Sequence, residues 1–145
     1  MNASITLLWA ALAMVVLAAI VGARMLAVRI GEMKKHRIHP QSVATSVQAA
    51  NRYHNVQAAD NFRNLFEVPV LFYALIALAI AIGNIPKWLT IGAWSFVFLR
   101  YLHSFIHCTY NKVMHRFAAF GLSFLIIVVL WILFLISLIG SKFSA

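Results

Sequence analysis

Polar and apolar residues separate along this chain into long blocks. Four apolar blocks dominate, at about Ile5–Ile30, Leu65–Ile82, Trp88–His107 and Phe117–Ile139. A helix needs about 20 residues to cross roughly 30 Å of hydrocarbon. Each block therefore predicts a membrane-spanning helix. None of them alternates polar with apolar residues, which argues against a β-barrel. Gly83-Asn84-Ile85-Pro86 predicts a tight turn between the second and third spans. The expected fold is all-α: an integral membrane four-helix bundle, with residues 1–145 forming a single four-span domain.

One long polar connection interrupts this pattern, at about residues 31–62. Its stretch from Ser42 to Asn61 is rich in Ala, Gln and Asn and lacks Gly and Pro, so it is expected to continue helically into the second span. It is too short and too polar to bury a core of its own. The first block reads as a retained helix rather than a signal peptide. It exceeds a signal core of roughly 7–15 residues, and its first positive charge, Arg24, follows the apolar run.

Composition agrees. Hydrophobic residues make up 63% of the chain and mean hydropathy is +0.89, against about 45–50% apolar residues in soluble domains. Lys and Arg number 12 against three acidic residues, for a net charge of +9. In a soluble protein this would suggest nucleic acid. Here the charges flank membrane spans, so the expected partner is the lipid bilayer with its anionic headgroups, and no nucleic acid. Arg24, Arg29, Lys34, Lys35, Arg37, Arg52 and Arg63 lie at or in the first connection, and Arg100, Lys112 and Arg116 at or near the third; only Lys87 and Lys142 lie on the other side. The positive-inside rule then places both basic connections in the cytoplasm and both termini outside. The one cysteine, Cys108, allows no intrachain disulfide.

Ionisable residues at membrane depth are costly, by about 2.5–3.5 kcal/mol each, so they draw attention to function. Asp60, Asn64 and Glu67 recur at i, i+4 and i+7, one face of a continuous helix, and Arg63 is spaced to pair with Glu67. Pro69 removes the amide that would bond the Leu65 carbonyl, which predicts a kink. On the third span, Arg100, His103, His107 and Tyr110 share a second face, with Asn111, Lys112 and Arg116 beyond it. Such a cluster attracts carboxylates, and arginine binds them bidentately. Arg100 is expected to find its partner in Glu67. These residues fit either an interhelical ion pair or a site for a charged ligand.

A metal site is not expected, because Cys108 faces away from the two histidines. Arg24 lies deeper than Arg29, about 140° away around the helix, and is expected to face protein. Small residues on the first span, among them Ala10, Ala11, Ala18 and Gly22, permit close helix contact and suggest a homo-oligomer with sites between subunits.

Asn64-x-x-Glu67 followed by Pro69, together with Arg100-x-x-His103-x-x-x-His107 and the basic residues beyond, resembles the MAPEG family, the membrane-associated proteins in eicosanoid and glutathione metabolism. The resemblance covers nearly the whole chain. It implies a homotrimer of four-helix subunits with glutathione as co-substrate, bound between neighbours near the cytoplasmic face. It assigns Asn64, Glu67, Arg100, His103, His107, Lys112 and Arg24 to substrate binding. It assigns Arg116 to thiol activation. Two departures stand out: Asp60 replaces an arginine of characterised members, and His107 replaces a common tyrosine. They suggest a divergent, bacterial-type branch, expected in the bacterial inner membrane.

The resemblance implies a glutathione-dependent transferase or peroxidase acting on a lipophilic small-molecule electrophile through an Arg-stabilised thiolate. The alternative is a non-catalytic lipid-binding or scaffold membrane protein of the same fold. A carrier using Glu67, His103 and His107 ranks lower, because the charged groups gather at one membrane face rather than the midplane.

Overall fold

The computed structural model describes the backbone of residues 2–143 and side chains as far as residue 140. The Lys142 side chain, which enters the orientation argument, lies outside the described residues. The helices are α1 (Ala3–His36), α2 (Ser46–Arg52), α3 (Gln57–Asn64), α4 (Val68–Ile82), α5 (Lys87–Cys108) and α6 (Val113–Phe143), with a 3-10 turn at Pro40–Val43. No strand occurs among the described residues. Four segments are long and apolar enough to cross a membrane: Ala3–His36, Gln57–Ile82, Lys87–Cys108 and Val113–Gly140. The protein is an all-helical integral membrane protein.

Local chemistry sets the helix ends. Asn2 caps α1 by accepting from the Ser4 amide at 3.1 Å. Lys34, Lys35 and His36 occupy its last turn, where positive charge complements the helix dipole. Gly83 ends α4 at φ 76°, a left-handed conformation that glycine adopts without a Cβ clash.

The long connection does not run as one helix into the second span. Thr45 and Gln48 form a capping box that starts α2. The chain then leaves helical geometry around His54 and Asn55, whose amides donate to the Glu32 carboxylate at 2.8 and 2.9 Å. Charge-assisted bonds from two consecutive amides hold that bend against the end of α1.

The bundle core is apolar. Leu7, Ala10, Met14, Leu17 and Val21 bury one stripe of α1 at alternating three- and four-residue spacing. Phe72 of α4 stacks on Phe96 of α5 with centroids 4.7 Å apart. Gly92 lets α5 approach α6 closely: a methyl group added there would overlap the Leu130 side chain. Interhelical hydrogen bonds fix the register. The Tyr101 hydroxyl donates to the Ala13 carbonyl at 2.7 Å, the Trp131 indole to the Leu71 carbonyl at 3.1 Å, and Asn84 to the Ser137 hydroxyl at 2.8 Å. Trp131 is therefore tied to a neighbouring helix. Only 22% to 44% of the most apolar stretch of each span is buried within the chain. The rest needs lipid or another subunit, since water would not tolerate it.

Candidate functional site

The site begins at a break in the second span. Residues 65–67 form a turn between α3 and α4. Pro69 has no amide, and Glu67 adopts φ −95°, ψ −91°, outside helical geometry. The turn is closed by short-range bonds, Leu65 N to the Phe62 carbonyl at 3.2 Å and Phe66 N to the Arg63 carbonyl at 2.9 Å. The expected i, i+4, i+7 face ends here. Asp60 and Asn64 lie before the break and line a cavity; Glu67 lies after it and is exposed. The break also disrupts the helical spacing behind the expected Arg63–Glu67 pair.

Arg100 occupies the break from the side. It is 0% exposed, and its Nη2 donates to the Asn64 carbonyl at 2.7 Å. Glu67, the expected partner, acts on Arg100 through charge but makes no hydrogen bond to it, and Nε and Nη1 have no hydrogen-bond partner. The reason is geometric: the turn offers Arg100 a main-chain carbonyl that a continuous helix would have kept for itself. The guanidinium also lies 5.6 Å from the centre of the Phe120 ring, which gives it a cation–π neighbour.

One and two turns further along α5, His103 and His107 are both 2% exposed. His103 Nδ1 lies 3.1 Å from the Arg116 carbonyl, and His107 Nε2 lies 2.8 Å from Arg116 Nη1. A carbonyl only accepts and a guanidinium only donates, so His103 donates through Nδ1 and His107 accepts through Nε2. Their second nitrogens, His103 Nε2 and His107 Nδ1, are buried and unpartnered. Arg116 Nη1 also donates to Asn111 Oδ1 at 2.9 Å. Asn111 sits at φ 47° in the turn between α5 and α6, a conformation asparagine tolerates better than most residues. The turn thus folds α6 back so that Arg116 meets the α5 histidines.

These groups surround a cavity of about 310 Å³. Asp60, Asn64, His103, His107 and Arg116 form its polar wall; Val113, Phe117 and Phe120 form the apolar one. Phe117 is 68% exposed, so the apolar wall continues onto the outer surface of the bundle. A polar ligand and a lipophilic one can meet there. Among the described residues, no three His, Cys, Asp or Glu side chains gather as a metal site.

Not every expected site residue comes together within this chain. Asn64, His103, His107 and Arg116 do, with Arg100 directly behind them. Lys112 is exposed in the turn, and its carbonyl accepts from the Arg116 amide at 3.1 Å. Tyr110 is exposed and pairs with His115 at 3.2 Å. Arg24 lies on the other flank of α5, where its guanidinium donates to the Cys108 carbonyl.

Three buried polar residues escaped the sequence reading: Ser123, whose hydroxyl donates to the Phe120 carbonyl at 2.7 Å, and the pair Asn61 and Ser104. Asn61 is 0% and Ser104 3% exposed. The Ser104 hydroxyl donates to Asn61 Oδ1 at 3.2 Å, and Asn61 Nδ2 lies 3.3 Å from Cys108 Sγ. The available signal was the i, i+4 spacing of Ser104 and Cys108, but Asn61 sat in a segment read as polar connection. Phe120 gave no signal beyond being one aromatic in an apolar run.

Comparison with known proteins adds one finding. Neither the curated proteins nor the solved structures give a match. The model of the MAPEG family matches residues 3–136.

Proposed function

The chain belongs to the MAPEG family, and from that premise we propose that it is a glutathione-dependent transferase or peroxidase acting on lipophilic electrophiles. The observation that carries this reading is the cavity with Arg116 and other polar groups in one wall and Val113, Phe117 and Phe120 in the other. Glutathione has two carboxylates and one ammonium. In this reading Arg100, with two unpartnered nitrogens, and the unpartnered His107 nitrogen attract the carboxylates. Asp60 and the Asn64 side chain take the ammonium, with Glu67 across the break adding its negative charge beside Arg100.

Arg116 stabilises the thiolate. A free thiol starts near a pKa of about 8.5, and only the thiolate attacks well. The thiol first gives its proton to water; the thiolate then bonds to the electrophile as the bond to the departing group breaks, and that group leaves with the electron pair and takes up a proton. A guanidinium held by His107 and Asn111 is already oriented for this charge, so little reorganisation is needed at the moment of reaction. The whole chain acts as one four-span unit, assembled as a homotrimer with both basic connections in the cytoplasm. Lys112 and Glu67 lie at the rim, where a neighbouring subunit brings further groups.

Calorimetric titration of the purified protein with glutathione tests this. Binding is expected, weakened in Arg116→Ala and, to a smaller extent, in Glu67→Ala. No heat at about millimolar ligand rejects it.

A second reading is a non-catalytic lipid-binding or scaffold protein. It is favoured by Arg116 Nη1, which already bonds both His107 and Asn111, and by the Asp60 carboxylate in the cavity wall. Copurifying lipid with no turnover across a broad panel of electrophiles would support it.

A further inference from the structure

A separate cavity of about 350 Å³ lies on the opposite flank of α5, between it and α1. Its walls are Leu17, Ile20 and Val21 of α1 and Phe105 of α5, with Arg24 at one end. Three hydroxyls also line it, and all three are already donated to protein: Tyr101 to the Ala13 carbonyl, Ser104 to Asn61 Oδ1, and Thr109 to the Phe105 carbonyl at 2.6 Å. Arg24 differs. Among the described residues its one hydrogen bond goes through Nη2 to the Cys108 carbonyl, and a guanidinium has five N–H donors. The cavity therefore offers a ligand apolar walls and one under-used cation. No carboxylate lines it, so it has nothing to hold an ammonium.

We propose that this cavity binds one acyl chain of an anionic phospholipid, with the lipid phosphate on Arg24. Three observations converge. The volume falls within the range of ligand sites, about 300–1,000 Å³. The mouth is flanked by Ile20 and Phe105, 57% and 62% exposed on membrane-spanning segments, so an acyl chain enters sideways from the bilayer. Arg24 lies level with the end of α5, on the side of the basic connections, where anionic headgroups accumulate. A planar guanidinium accepts a phosphate bidentately. The occupant is apolar along its length and anionic at one end, and the surrounding bilayer supplies it.

Native mass spectrometry of the delipidated full-length protein, in mild detergent with added phosphatidylglycerol, tests the assignment. One lipid retained per chain is expected. Retention should fall roughly tenfold in Arg24→Gln, the scale of one charge-assisted hydrogen bond. It should fall similarly in Ile20→Trp, which fills the slot and keeps the arginine. Phosphatidylcholine and diacylglycerol should be retained less than phosphatidylglycerol. Equal retention by wild type and Arg24→Gln overturns the proposal, as does preference for a free fatty acid or for phosphatidylcholine. Loss of lipid from neither variant, with Arg24→Gln instead changing the oligomer mass, shows that a second copy covers the slot and also overturns it. Should Arg24→Gln fail to fold by circular dichroism, unchanged retention in Ile20→Trp is sufficient to reject it.

Discussion

The two flanks of α5 both bury polar side chains, yet they differ in how those side chains are satisfied. Towards α1 and α3, Tyr101, Ser104, Asn61 and Cys108 bond to one another or to main-chain carbonyls. Towards α6, Arg100, His103 and His107 keep buried nitrogens with no partner. A polar group in a water-poor interior that lacks a partner costs about 1–3 kcal/mol. The interior of the first flank therefore reads as structure, glueing helices together, with Arg24 at its edge keeping free donors. The second retains an unmet need for hydrogen-bonding partners that a ligand would relieve. Residue type alone does not separate the two; closure of the hydrogen bonds does.

Substitutions on each flank should separate these roles. The largest effect is expected at Arg116: Arg116→Ala should lower kcat/KM for glutathione conjugation roughly 100-fold, the scale seen when one donor to a developing anion is removed. Its thermal stability in detergent should change far less. On the other flank the pattern reverses. Asn61→Leu strands the Ser104 hydroxyl and the Cys108 thiol and should destabilise the protein by about 2 kcal/mol, read as a lower unfolding midpoint, with glutathione affinity in the surviving folded fraction near wild type. If Asn61→Leu abolished binding at unchanged stability, the division between flanks would fail.

Smaller effects sharpen the comparison. Gly92→Ala pushes against Leu130 and so loosens α5 from α6, the pair of helices that sets the His107–Arg116 contact. A cost of about 1 kcal/mol is expected, and Leu130→Ala in the same chain should recover part of it in a double-mutant cycle. The mildest change is Asp60→Asn. It should weaken glutathione binding roughly threefold by titration, the size of one solvent-screened charge contact. An analogue lacking the amino group should show no such dependence. Equal losses for both ligands would remove Asp60 from the ammonium site.

Much of the fold was legible in the chain. Four apolar blocks, a Gly-Asn-Ile-Pro turn and Pro69 gave the spans and the place of the break, because membrane insertion depends on local hydropathy and a missing amide acts where it sits. The i+3 and i+7 spacing from Arg100 grouped it with His103 and His107, since α5 runs unbroken through them, but the fourth member of that stripe, Tyr110, lies past the end of α5 and is exposed. The same logic put Glu67 on one helix face with Asp60 and Asn64, which the break undoes, while its charge still acts on Arg100. A break of three residues rotates everything after it, and spacing rules assume none.

The sequence alone determined that this is a helical membrane protein with basic connections and two polar stripes, because those properties follow from hydropathy and helical period. Only tertiary structure decided which members of the stripes meet. Arg100 turned to a carbonyl exposed by the break, Arg116 returned from the next helix to the histidines, and Arg24 went to the far flank. Such contacts depend on which helix lies opposite and how the turns fold back, and no local pattern carries that information.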